Sequence, residues 1–387
     1  MLAFFAPARK AVLRGAAVLA ALALAACEPG PIGGGSAIGS GPVTVALLVP
    51  KTSPTQGDGV LSASLENAAR MAMADLQGTQ IDLRVYDTAG SAATAAAMAT
   101  QAVNDGAKII LGPLRADAAN AAGLAVAGQG VSVLSFSNNT QIAGGNVFVL
   151  GNTFDNTANR LAKFAVRQGK RKVVVVHGSD LSGQLGSNAI QQAFAGTAAS
   201  VVASIPYDLS QQSVIATVPQ ITSAVSSNGA DLLFLTSTTA GALPLLTQLL
   251  PEAGVAPGQV QYAGLSRWDV PTQTLSLPGV QGGWFALPDP NTYQQFAQRY
   301  AATYGGPPHP IAGLGYDGIA AIGALASSGR ALNAQSLTQG AGFQGVYGAF
   351  RFLPGGGNER ALAIATIRDN QVQVIDAAPR SFGGIGF

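Results

Sequence analysis

Val43-Thr44-Val45-Ala46-Leu47-Leu48-Val49-Pro50 is an apolar run closed by a proline, and together with the helical segment behind it this run sets the architecture. Residues 58–77 carry Leu61, Leu65, Ala68, Ala69, Ala72 and Leu76 at helical spacing on one face. Then come a β-rich run at 81–86, a helical segment at 92–105, a strand at 108–111, a helix at 116–127 and a strand at 131–136. Parallel strands need a connection long enough to hold a helix. This alternation therefore predicts a parallel sheet with helices on both faces.

Further along the chain, the rhythm restarts after a helical segment at 156–168. Val173-Val174-Val175-Val176, within 172–177, shows no polar alternation and reads as a strand buried on both faces. A helix at 187–195, a strand at 201–205, a helix at 214–225, a strand at 231–235, a helix at 240–250 and a strand at 260–263 complete a second set. The expected class is α/β, with two doubly wound parallel-sheet lobes. Ligands of such sheets sit beyond the carboxyl ends of the strands. The cleft candidates at those ends are Leu114, Ser135, Ser137, Asn138, Asn139, Ser182, Thr238 and Arg267. Short polar side chains and free loop N–H groups suit a carboxylate; the same residues also cap turns, and the sequence leaves both uses open.

The N-terminus has the parts of a secretory signal: Arg9, Lys10 and Arg14 precede an apolar run at 15–26 that is too short to span a bilayer. It ends in Leu24-Ala25-Ala26-Cys27, which resembles the lipobox of bacterial lipoproteins. That resemblance implies cleavage after residue 26, a lipid on Cys27 and firm membrane anchoring by two or more acyl chains. An ordinary cleavage site beside an incidental cysteine is the alternative. Glu28 stands where an Asp favours inner-membrane retention in enterobacterial lipoproteins, so the expectation leans to the outer membrane. Residues 27–42, rich in Gly, Pro and Ser, read as the lipidated cysteine and a flexible linker.

Composition excludes several function classes. The chain has 21 basic and 19 acidic residues, and loss of Arg9, Lys10 and Arg14 with the signal leaves it close to neutral. Nucleic-acid binding needs a concentrated basic surface, and Lys170-Arg171-Lys172 reads instead as a solvated turn between a helix and a strand. Cys27 is the one cysteine, and two histidines leave little for acid–base or metal work, so neither a cofactor nor a metal is expected. Gly313-Leu314-Gly315-Tyr316-Asp317-Gly318 satisfies a nucleotide-loop pattern but follows no strand, and it reads as the start of a helix. Trp284 and Phe285 are expected to pack in the first lobe. A non-enzyme is expected.

Several stretches resemble one family. Val45 to Pro50, Gly57 and Asn67-Ala68-Ala69 resemble the opening of type 1 periplasmic binding proteins of the branched-chain amino acid kind. Phe343-Gln344-Gly345-Val346-Tyr347-Gly348-Ala349-Phe350-Arg351-Phe352, with Gly355 to Gly357 beyond, is similar to that family's closing hairpin. The resemblance implies two lobes joined by three crossovers, with 43–151 plus 281–328 in lobe 1 and 152–280 plus 329–380 in lobe 2. Asp87-Thr88-Ala89-Gly90, Gly106 to Leu114, Ser135-Phe136-Ser137-Asn138 and Phe148 to Gly151 resemble a subgroup, the penicillin-binding protein activators. Those are outer-membrane lipoproteins that stimulate peptidoglycan synthases, although the best-known ones carry a helical-repeat domain before this fold.

The amino-acid receptors of the family hold a zwitterion with lobe 2 aromatics and an acid facing the ammonium. Here Ser182-Gly183, Thr236 to Thr239 and Leu265-Ser266-Arg267-Trp268 occupy those strand ends, with Asp269 one small register shift away. A buried ammonium without a carboxylate or an aromatic face is under-solvated. The resemblance thus implies a non-enzymatic, lipid-anchored periplasmic protein that regulates peptidoglycan synthesis through contact with a synthase. The alternative is the substrate-binding lipoprotein of an ABC permease for amino acids or another small polar solute.

Overall fold

The computed structural model describes residues 41–382; the signal, Cys27 and most of the 27–42 linker lie outside the described residues. Strand β1 (Val43–Val49) is buried at every position but Thr44, as its unbroken apolar run requires. It stands second in a five-stranded, all-parallel sheet of order β2 (Ile81–Asp87), β1, β3 (Ile109–Leu111), β4 (Ser132–Ser135) and β5 (Val147–Val149). The links are α1 (Asp58–Asp75), α2 (Ala92–Asn104) and α3 (Ala116–Val126), each within a few residues of the segment its periodicity predicts. Val45 and Leu47 meet Leu61, Leu65 and Ala69 of α1 in one core layer, while Ala46 and Leu48 meet Ala99 and Ala102 of α2 in another.

The second sheet contains α4 (Phe154–Arg167), β6 (Lys172–Gly178), α5 (Leu181–Phe194), β7 (Ser200–Tyr207), α6 (Gln211–Asn228), β8 (Leu232–Leu235), α7 (Leu243–Glu252), β9 (Gln261–Gly264) and β10 (Trp284–Leu287) with its covering helices. Its order is β15 (Gln371–Asp376), β14 (Ala363–Arg368), β10, β9, β8, β6, β7. The strands from β10 to β7 run parallel, and β14 and β15 join antiparallel at the edge. The α/β class with two doubly wound lobes is therefore realised.

The crossovers fall elsewhere than the resemblance implies. β10, expected in lobe 1, pairs in the second sheet. Trp284 packs edge-on against Phe164 of α4 at 4.8 Å, and Phe285 stacks on Trp268 at 6.4 Å, so both belong to lobe 2. The chain then returns to the first lobe as α8 (Pro290–Tyr304), α9 (Gly313–Ser327), α10 (Ala334–Leu337) and a small antiparallel sheet, β11 (Phe343–Gly345), β12 (Gly348–Phe352) and β13 (Asn358–Arg360). Phe343, Phe350 and Phe352 pack into the first lobe's core, although residues 329–360 were expected in lobe 2. The Gly-x-Gly-x-x-Gly run is the start of α9. A Cβ on Gly315 would lie 2.3 Å from the Leu65 carbonyl oxygen and one on Gly318 2.3 Å from Leu111, so these glycines let α9 lie directly on α1 and the sheet.

Two of the crossovers are bolted together. Asn358 Nδ2 donates to the carbonyls of Val149 (2.7 Å) and Gly151 (2.8 Å), and Asn156 Nδ2 donates to Asn358 Oδ1 (2.5 Å). Arg360 Nη2 donates to the Leu150 carbonyl (2.6 Å) and its Nη1 to Asp317 Oδ2 (2.8 Å). Asp317 and Arg360 have side-chain exposures of 0% and 2%. Removing one partner of such a pair leaves an uncompensated buried charge. Arg360→Ala is therefore expected to cost about 3–5 kcal/mol in urea-denaturation stability. Arg351→Ala, which breaks the more exposed Arg351–Glu359 pair nearby, should cost about 1 kcal/mol or less.

Candidate functional site

The loops at the carboxyl ends of the first sheet are built largely by their own polar groups. Asp87 accepts from Thr52 Oγ1 (2.6 Å) and from the N–H of Ala89 (2.9 Å), which ties the loop after β1 to that after β2. Burial works against its charge, but these donors prevail and hold the carboxyl below the usual carboxylate range. Asp58, in the first turn of α1, pairs with Arg115 ahead of α3. Burial opposes its charge too, and Ser53 and Arg115 overcome it.

The loop after β4 is similarly self-contained. Ser135 is fully buried; its Oγ donates to the Pro113 carbonyl (3.1 Å) and accepts from the Ser137 N–H (3.1 Å). Ser137 Oγ accepts from the Asn139 N–H (3.1 Å), and Asn139 Oδ1 accepts from the Gln141 N–H (2.9 Å). Of the two uses open to these residues, turn capping is the one seen. Asn138 is exposed, and no hydrogen bond of its side chain occurs among the described residues.

A cavity of about 620 Å³ lies where this loop faces lobe 2. Its lobe 1 wall is residues 138–141, and its lobe 2 wall is the first turn of α4 (Phe154, Asp155) with one stripe of α5. Leu181, Leu185, Asn188 and Gln192 follow one another at helical spacing along that stripe. Asp155 is half-buried, and burial raises its carboxyl above the ordinary range. Asp180 is the N-cap of α5, yet its side chain makes no capping bond.

The cavity gathers Asn138, Asn139 and Ser182 from the sequence candidates and leaves the other five outside its lining. Ser135 and Ser137 shape the loop behind it. Leu114 packs against the lobe 1 core. Thr238 supports α7 through its carbonyl, which accepts from the N–H groups of Gly241 and Leu243. Arg267 is engaged by Asp269, with Nε at 2.9 Å from Oδ1, so that acid is not free to face an ammonium. Burial works against the Arg267 charge, and Asp269 more than offsets it, holding the guanidinium more firmly protonated.

The lining residues missed are Thr140, Gln141, Phe154, Asp155, Asp180, Leu181, Leu185, Asn188, Ala189 and Gln192. Asp180, Leu181 and Leu185 were hidden because α5 starts at Leu181, six residues before the predicted 187. Gly183 and Gly186 in its first turns look like loop residues. They are contact points instead: a Cβ on Gly183 would sit 2.2 Å from the Gly178 carbonyl oxygen, and one on Gly186 2.7 Å from Leu265. The helical spacing from 181 to 192 was the available signal.

His177 Nδ1 lies 2.8 Å from the Gly178 carbonyl, and His309 Nδ1 accepts from the Ile311 N–H, so both rings serve their own loops. Among the described residues no cluster of three His, Cys, Asp or Glu could hold a metal, and no helix is long and apolar enough to cross a membrane.

The sequence matches the periplasmic binding protein family over residues 42–371. No curated protein matches it. Among solved structures, a putative branched-chain amino acid ABC transporter from Rhodospirillum rubrum is similar at 19% identity. The match covers 86% of this chain and 100% of that one, with a TM-score of 0.74. A branched-chain amino acid ABC transporter periplasmic ligand-binding protein from Burkholderia xenovorans is similar at 17% identity, covering 87% and 96%, with a TM-score of 0.68. A solute-binding protein of R. palustris in complex with benzoate is similar at 16% identity, covering 89% and 98%, with a TM-score of 0.58. At these identities the likeness is one of fold.

The hydrogen bonds separate loop-building residues from cavity-facing ones. Ser135→Ala strands the buried Ser137 N–H, while the Pro113 carbonyl keeps the Phe136 N–H, and should cost about 1–3 kcal/mol in denaturant unfolding. Asn138→Ala should leave stability unchanged.

Proposed function

Because this chain belongs to the periplasmic binding protein family, we propose that it is a receptor that holds a small polar solute and presents it to a membrane transporter. The observation that carries this reading is the cavity of about 620 Å³, whose walls come from both lobes and whose size suits a small ligand. Its lining mixes amides, hydroxyls and carboxylates with the apolar sides of Phe154, Leu181 and Leu185. A wall from each lobe gives a solute a way to favour one arrangement of the lobes over another. The relatives named as ABC transporter proteins for branched-chain amino acids support the same class of role. The transporter would be an ABC permease.

A second reading is favoured by the strand ends of lobe 2. Arg267 and Asp269 satisfy one another and Thr238 supports a turn, so the ends of β8 and β9 offer no unpaired acid to an amino acid's ammonium. On that reading the chain is an activator that regulates peptidoglycan synthesis by touching a penicillin-binding protein. The four motifs shared with activators in the first lobe point the same way, and a lipid on Cys27 with Glu28 beside it fits an outer-membrane address.

A thermal-shift screen of amino acids, amides, amines and small carboxylates separates the two. A receptor gains about 2.7 kcal/mol from a ligand at a hundred times its dissociation constant, so its melting temperature rises by several degrees. A flat screen, with co-purification of a peptidoglycan synthase, would reject the receptor reading. The anchor has its own test: Cys27→Ser is expected to move the protein from the membrane fraction to the soluble periplasm. Retention in the membrane fraction would rule out a lipid on Cys27 as the anchor.

A further inference from the structure

We infer that the cavity between residues 138–141 and α5 selects a solute bearing an ammonium group and no carboxylate, an inference that rests on the receptor reading above. Two charged side chains line it, Asp155 and Asp180, and no Lys, Arg or His does. Elsewhere Asp58, Asp75, Asp269, Asp317 and Asp376 are each paired with an arginine. Asp155 and Asp180 have no such partner, and their side chains make no hydrogen bond among the described residues.

The local field follows from those two charges. Asp155 sits in the first turn of α4 and Asp180 caps the start of α5, and each helix N-terminus carries about half a positive charge. Two carboxylates against two half-charges leave the cavity net negative. A solute carboxylate would add a third anion with no cation on the cavity lining to receive it, and like charges repel. An ammonium gains two counter-charges, and the side-chain carbonyls of Asn138, Asn188 and Gln192 can accept its remaining protons. Apolar Leu181 and Leu185 on the α5 stripe suit a short carbon stem between polar ends.

The experiment is isothermal titration calorimetry of the protein with 1,4-diaminobutane, with succinate as the dicarboxylate of equal chain length, and with leucine as a zwitterion. Saturable binding of the diamine is expected, at least tenfold weaker in Asp155→Asn and in Asp180→Asn, with no heat from succinate. Neither carboxylate has a partner to lose, so both variants should melt at the temperature of the parent protein, which confirms that they fold. Tighter binding of succinate or leucine than of the diamine would overturn the charge selection and leave the receptor standing. Diamine affinity unchanged in both variants would also overturn it. Silence with all three probes would overturn it as well, and together with a flat thermal-shift screen would take the receptor reading with it.

Discussion

Arg360 is the residue that ties the first and last crossovers to the first lobe. Its guanidinium is buried against Asp317, holds the Leu150 carbonyl with two nitrogens and lies over the ring of Phe350 at 4.9 Å. Asp317 belongs to α9 of the first lobe, Leu150 to the first crossover and Arg360 to the last. One cation therefore fixes three segments far apart in sequence. Burying it is costly unless every donor is satisfied. Asp317 completes the arrangement by accepting from the Val346 N–H at 2.7 Å, so the hairpin turn between β11 and β12 is tied to the same carboxylate. Burial pushes that carboxyl up, and the guanidinium and the N–H donors work in the opposite direction.

The cavity inherits its position from this junction. The crossover that offers Leu150 to Arg360 runs through Gly151 into the Thr153 cap of α4, and the next two residues, Phe154 and Asp155, form part of the cavity wall. Asn156, one residue further, donates to Asn358 and accepts from the Arg360 N–H. Asp155 is thus held between a helix cap and the crossover bolt, neither of which uses its own side chain. A carboxylate left unpaired beside so well-satisfied a junction is a constraint of a different kind from the paired acids that stabilise the lobes.

Most of the fold was legible because parallel strands buried on both faces write continuous apolar runs, as in Val43 to Val49 and Val173 to Val176. The crossovers were not legible. β10 and β14 pair with one another although they are remote in sequence, and no local signal in Trp284–Leu287 or Ala363–Arg368 names that partner. Phe343, Phe350 and Phe352 were read as a hairpin through the family resemblance, but which lobe receives that apolar face is a long-range matter. At the site, the strand-end rule found the loop of Asn138 and Asn139. It could not tell a hydroxyl spent on its own backbone from one facing a solute, and Ser135 and Ser137 are of the first kind.

The start of the α5 wall was lost through glycine. Gly183 and Gly186 lower helix propensity, so the start of α5 read as a loop and Ser182 seemed an isolated strand-end hydroxyl. Close packing reverses that inference: only a helix without Cβ atoms at those two positions can lie against Gly178 and Leu265. With the helix in place, Ser182 is the second residue of α5, and the acid beside it on the cavity wall is Asp180, whereas Asp269 lies outside the lining. The arginine beside Asp269 occupies that carboxylate, while the unpaired carboxylates of Asp155 and Asp180 stand at the starts of α4 and α5.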